Sequence, residues 1–170
     1  MKKIISGYRI MVITTGFQPV NRGSIPLTRS KIMKKVLIIA GSKNDIPELS
    51  EIKKLFRKEK VGFDIKIISA HRNIKELVRQ LEINKLQKSK TGVILAVAHS
   101  VANLPAIIAG YLKNTDIPVL GVGLTKTSAD SLESLFSVIS IPKGIPLMNT
   151  GINKAGLYNA ALCCIKLLKP

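Results

Sequence analysis

The sequence predicts a three-layer, doubly wound α/β domain: a parallel sheet covered by helices on both faces, closed by a long C-terminal helix. Three observations predict it. Short, continuous apolar runs recur along the chain and give way to small or polar residues. Stretches with apolar residues at helical spacing lie between them. The two kinds alternate five times, and strand–helix alternation implies parallel strands joined by crossover helices.

The elements follow in order. "KVLIIAGS" (35–42) is an apolar run ending in Gly-Ser, the signature of a strand buried on both faces. "IPELSEIKKLFRKEK" places Leu49, Ile52, Leu55 and Phe56 at helical spacing, with Pro47 suited to a first turn. "FDIKIIS" is the second strand. Ile74, Leu77, Val78 and Leu81 fall at i, i+3, i+4 and i+7, which predicts one amphipathic helix over 73–87. "GVILAVA" (92–98) and "NLPAIIAGYLK" form the third pair, and "PVLGVGL" (118–124) and "ADSLESLFSVIS" the fourth. "IPLMNT" (145–150) is the fifth strand, and "NKAGLYNAALCCIKLL" the final helix.

Composition narrows the class. A chain of 170 residues, 46% of them apolar, favours one domain with a real core and excludes wholesale disorder. With no Trp, that core is aliphatic. The apolar runs are far shorter than the roughly 20 residues of a spanning helix, so no membrane association is expected. Cys163 and Cys164 are adjacent and not placed to form a disulfide framework, which fits a reducing, cytoplasmic setting. The net charge of +17 raises nucleic acid as a partner. The lysines, however, are mixed with Glu over helix faces, and neither zinc-finger spacing nor an RNA-binding aromatic motif is present. A basic surface that attracts a small anionic substrate is the expectation instead.

Residues 1–32 stand apart. They carry Lys2, Lys3, Arg9, Arg22, Arg29 and Lys31 and no acid, six of the seventeen net positive charges. "MKKVLIIAGS" at Met33 reads as a fresh start of a compact domain. The expected organisation is a basic extension or mis-called start at 1–32 and a single domain at 33–170. Deleting residues 1–32 should leave fold and assembly intact; loss of the oligomer on size-exclusion chromatography would show that the extension is structural.

In open α/β sheets ligands bind beyond the carboxyl ends of the strands, near a switch in strand order. Five segments lie at such ends: Gly41–Asp45, Ser69–Arg72, Ala98–Asn103, Gly123–Lys126 and Asn149–Lys154. In "AGSKNDIP", Gly41 permits a tight turn, and the Ser42 hydroxyl with free helix-start amides suits a phosphate. Asp45 reads either as an N-cap or as a ligand-facing carboxylate. The Gly-Lys-Ser pattern of a Walker loop is absent. In "SAHR", His71 stands beside a permanent cation: histidine as a residue type can donate or accept a proton near neutral pH, and Arg72 offers a two-pronged phosphate contact.

These motifs, in this order, resemble a known family. "GSKNDIP", "SAHR", "ANLP", "PVLGVG", "DSLESLFSVISIPKGIP" and "KAGLYNAAL" are similar to the catalytic subunit of phosphoribosylaminoimidazole carboxylase, the N5-carboxyaminoimidazole ribonucleotide mutase of purine biosynthesis. The resemblance covers about residues 35–168. It implies a flavodoxin-like fold, homo-octamers with the final helix packed on neighbours, and an ATP-grasp carboxylase as functional partner. It also implies an isomerisation without metal or organic cofactor, in which a carboxylate moves from the exocyclic nitrogen to ring carbon 4. On this pattern Ser42 and Asp45 contact ribose and phosphate, Ser69 and Arg72 hold the phosphate end, His71 shuttles the proton, and Asp45 counts with His71 as catalytic. The remaining substrate contacts expected on the three loops are Gly41, Asn44, Ala70, Ala98, His99, Ser100, Asn103 and Leu104.

The chain departs from the family in its third loop. The family reads Gly-Gly-Ala-Ala-His-Leu-Pro-Gly where this chain reads "HSVANLPA". His99 and Ser100 replace the two glycines, Asn103 the histidine and Ala106 the last glycine. His99 either replaces the lost imidazole or fills the pocket. Asn44 replaces a serine, Ile46 a tryptophan and Asn153 a glycine. The alternatives are a related carboxylase acting on another nucleotide, such as a pyridinium mononucleotide, and a non-catalytic nucleotide-binding paralogue.

Overall fold

The computed structural model describes residues 34–169; the expectations for residues 1–32 lie outside them. The strands are β1 (Lys35–Ala40), β2 (Phe63–Ile67), β3 (Thr91–His99), β4 (Val119–Leu124) and β5 (Met148–Asn149). The helices are α1 (Ser50–Lys58), α2 (Ile74–Leu81), α3 (Ile83–Lys88), α4 (Asn103–Tyr111), α5 (Ser131–Ile139) and α6 (Asn153–Leu168). All strand pairs are parallel, in the order β2-β1-β3-β4-β5. This is the flavodoxin-like order, whose switch point lies between β1 and β3.

Alternation along β1 divides the core in two, because successive strand side chains point to opposite faces. Val36 and Ile38 join Ile52 and Phe56 of α1 and Leu157 and Ala161 of α6. Leu37 and Ile39 join Leu77 of α2, Leu86 of α3, Ile108 of α4 and Val138 of α5. Each such side chain fully withdrawn from water contributes roughly 1.5–3 kcal/mol. Tilted rings of Phe56 and Phe63, 5.6 Å apart, close the β2 edge.

Three expected elements changed length. The helix over 73–87 is two helices, broken at Glu82, whose backbone is extended (φ −54°, ψ 130°). Leu81 and Leu86 both enter the same core layer. Five residues apart, they would stand about 140° apart on a continuous helix, so the break is what turns both inward. The fifth strand shrinks to Met148–Asn149, pairing with Leu120 and Gly121 of β4. Pro146 has no N–H to give, and the Ile145 N–H turns back to the Pro142 carbonyl (3.2 Å). The stretch after β1 opens as two 3-10 turns, Lys43–Asp45 and Pro47–Leu49, before α1 begins.

Cys164 is buried and Cys163 half-buried, both free. Burial, and secondarily the neighbouring Cys163, pushes the Cys164 thiol up to about 12. Because the thiolate is the reactive form, Cys164 is expected to resist iodoacetamide at pH 8 in the native protein and to react only in denaturant. Peptide mass spectrometry showing native alkylation at Cys164 would contradict its burial. Among the described residues no helix is long and apolar enough to cross a membrane.

Candidate active site

The carboxyl ends of β1, β2 and β3 meet around one cleft of about 350 Å³, within the range of small-ligand sites. It is lined by Gly41, Ser42 and Asp45 after β1, Ser69, Ala70 and His71 after β2, and Ala98, His99, Ser100, Val101, Asn103 and Leu104 at the end of β3 and start of α4.

Local hydrogen bonds shape each loop. After β1, the Ser42 Oγ accepts from the Asn44 N–H (3.2 Å), while the Ser42 N–H donates to Asp45 Oδ2 (2.8 Å). Ser42 is therefore the cap and Asp45 its reciprocal partner, the capping-box arrangement. Gly41 has no left-handed backbone; its value is room, since a Cβ there would lie 3.3 Å from Ala98 Cβ. After β2, the Asn73 N–H donates to the Ser69 carbonyl (2.9 Å), making a turn that carries His71 exposed to solvent. Asn103 Nδ2 lies 3.4 Å from His71 Nε2. After β3, the Ala102 N–H donates to Ser137 Oγ (3.1 Å) and the Ser100 N–H to the Leu124 carbonyl (3.2 Å). Two helix α5 serines thus pin this region: Ser137 holds Ala102, and Ser134 Oγ donates to the Leu124 carbonyl (3.2 Å).

The shortest contact in the cleft joins His99 Nδ1 to Asp45 Oδ1 at 2.6 Å. The Asp45 side chain is 1% exposed, and its oxygens engage His99 and the Ser42 N–H. The carboxylate that reads in the sequence as ligand-facing or as an N-cap therefore lies beneath His99, on the cleft floor. His99, 23% exposed, also borders a second cavity of about 330 Å³ lined by Glu48, Leu124, Thr125, Ile152, Asn153, Lys154 and Ala155. There Asn153, at φ 56°, takes a left-handed conformation that Asn tolerates better than most residues. Its Oδ1 accepts from the Thr125 N–H (2.8 Å) and its Nδ2 donates to Thr125 Oγ (3.0 Å), latching α6 to the end of β4.

Two expected contacts lie elsewhere. Asn44 is exposed and does not line the cleft. Arg72 faces a separate depression with Asn73, Ile74, Lys75, Glu76 and Arg79. His71 lines the cleft, while Arg72, next in the chain, lines the other depression. Hydrogen bonds from Arg79 and then Gln80 hold the Glu76 carboxyl down to about 2. Val101, absent from the expected contacts, lines the cleft; its place between Ser100 and Asn103 was the available signal. The Asp45–His99 pair spans 54 residues and left no local signature.

The cleft offers two imidazoles, three serines and no exposed carboxylate, an arrangement suited to holding an anion and moving protons on it. Among the described residues no group of three His, Cys, Asp or Glu side chains is placed to hold a metal.

Fold and cleft together define a flavodoxin-like α/β protein with a histidine-lined site at the β1/β3 switch point. The AIR carboxylase family model matches residues 35–169, and the chain belongs to that family. It is 37% identical over 139 residues to the N5-carboxyaminoimidazole ribonucleotide mutase of Pyrococcus abyssi (strain GE5 / Orsay), covering 80% of this chain and 74% of that one. It is 33% identical over 134 residues to the protein of the same name from Haemophilus influenzae (strain ATCC 51907 / DSM 11121 / KW20 / Rd), covering 79% of each. The crystal structure of Treponema denticola PurE superposes with a TM-score of 0.57 at 17% identity, covering 78% of this chain and 87% of that one, a likeness of fold.

Proposed function

We propose that this chain interconverts N5-carboxyaminoimidazole ribonucleotide and 4-carboxy-5-aminoimidazole ribonucleotide in purine biosynthesis. The observation that carries the reading is the convergence of three loops, distant in sequence, on one cleft with His71 at its edge. The mutase names of the relatives agree with it. In the reaction the bond between the exocyclic nitrogen and the carboxylate carbon breaks, carbon dioxide is released and the nitrogen gains a proton. Ring carbon 4 then attacks the carbon dioxide and loses its own proton, so the isomerisation is proton-neutral. His71 supplies the proton at nitrogen. Ser42 and Ser69 provide hydroxyls for the ribose phosphate, and the cleft walls limit escape of carbon dioxide. The test is direct: N5-carboxylated ribotide added to the pure protein should give the 4-carboxy product, followed by absorbance. Absence of product would overturn the reading.

Arg72 serves this site from outside the cleft, as a charge that attracts the anionic ribotide. Its loss is expected to act on encounter and salt dependence, as rim charges do. Arg72→Ala should raise KM, flatten the dependence of kcat/KM on ionic strength and leave kcat near its original value. A fall in kcat with unchanged KM would place Arg72 in the chemistry instead.

The working form is a cytoplasmic homo-oligomer, an octamer, supplied with substrate by an ATP-grasp carboxylase. Helix α5 supports assembly: it leaves Leu132, Phe136 and Ile139 exposed at 65%, 55% and 48%, an apolar face costly to leave in water.

A further inference from the structure

We infer that His99 is a second proton carrier of this site, oriented by Asp45, and that its Nε2 removes the proton from ring carbon 4. The inference deepens the proposed mutase reading and rests on it. Three observations place His99 in this role. Its ring lines the same cleft as His71. Its Nδ1 is held 2.6 Å from a carboxylate that is itself 1% exposed and fixed by the Ser42 N–H. Its Nε2 has no hydrogen-bond partner among the described residues.

A buried carboxylate on Nδ1 fixes the tautomer with the proton on that nitrogen, leaving the Nε2 lone pair open. It also balances the positive charge that Nε2 gains on taking a proton. His71 differs: it is exposed, and its neighbour is the neutral amide of Asn103 at 3.4 Å. The two imidazoles therefore divide the work. As the C–N bond breaks, nitrogen takes a proton from His71. After carbon 4 bonds to carbon dioxide, His99 Nε2 takes the carbon-bound proton and the C–H electron pair restores the aromatic ring. The proton returns from His99 to His71 through solvent once the product leaves. Asp45 touches no reacting atom and is a positioning residue. The titratable and charged groups around His99 are Asp45, His71, Glu48 and Lys154.

The experiment is steady-state kinetics of the full chain from pH 5 to 9. His99→Gln should lower kcat by about 10²–10⁴, the usual share of one acid–base group, and remove one limb of the kcat profile while KM holds. His99→Ala should be equally impaired and regain activity with added imidazole. Asp45→Asn should move the same limb, and the double variant should be no worse than His99→Gln, since residues acting as a unit are non-additive. Imidazole ¹⁵N NMR supplies a readout independent of turnover: the His99 ring should carry its proton on Nδ1 in the wild type and lose that preference in Asp45→Asn. Wild-type turnover with an unimpaired His99→Gln overturns the role of His99 alone. An ¹⁵N spectrum with the proton on Nε2 does the same. A wild-type chain inactive on the ribotide overturns the mutase reading itself, a distinguishable result.

Discussion

Replacing His71 with asparagine is expected to lower kcat for the carboxylated ribotide by about 10²–10⁴ and to leave binding nearly intact. The reasons are geometric. His71 stands exposed at the tip of the turn closed by the Ser69 carbonyl and the Asn73 N–H, so the exchange disturbs no core contact. Its one side-chain partner is Asn103 at 3.4 Å, a weak contact that does little to hold the ring. What the substitution removes is an imidazole that can give and take a proton, which an asparagine amide cannot do. The absorbance assay gives kcat, and calorimetry with unreactive aminoimidazole ribotide gives affinity. Turnover within a few-fold of the wild type would remove His71 from the reaction. Lost affinity with the kcat of bound enzyme preserved would make it a binding residue.

The second large effect concerns stability and lies at the start of α6. Gly156→Ala is expected to destabilise the fold by about 3 kcal/mol, the upper range of overpacking costs. A Cβ at 156 would overlap the carbonyl carbon and oxygen of Gly151, which are backbone atoms and cannot rotate away. Gly151 is itself fixed: its φ of 107° suits only glycine, its N–H donates to Asn149 Oδ1 (3.0 Å), and Thr150 Oγ donates to the Gly156 carbonyl (2.8 Å). The strain would pass to Asn153 and its latch on Thr125, in the cavity that borders His99. Thermal melting should fall by roughly 10 °C, and kcat should fall with it. A melting temperature unchanged by the substitution would mean that α6 does not cross the 149–151 turn this closely.

The layered architecture could be read directly from residue pattern. The runs at 36–42 and 92–98 contain nothing but apolar and small residues, the pattern of a strand covered on both faces. Ile52, Leu55 and Phe56 fall on one stripe of a helix, and the α6 expectation of 153–168 matches the helix that forms. The break at Glu82 had no proline or glycine to announce it; it arises because Leu81 and Leu86 must reach the same layer. The shortening of β5 was half visible in Pro146, but the fold-back of Ile145 onto Pro142 depends on three-dimensional context.

The site divides along similar lines. Pattern alone located the rim, because strand ends announce themselves where apolar runs stop. That marked the segments Gly41–Asp45, Ser69–Arg72 and Ala98–Asn103, and the family resemblance picked contacts within them; Gly41, Ser42, Ser69, His71, His99 and Asn103 do line one cleft. Pattern did not determine direction: Arg72, next to His71, faces another hollow. Nor did it reveal that Asp45 lies buried under His99 rather than facing substrate. Periodicity records which face of a strand or helix is apolar, a local property of neighbouring residues. The union of a carboxylate with an imidazole 54 positions away arises when β1 and β3 pair side by side, and no local pattern encodes that adjacency.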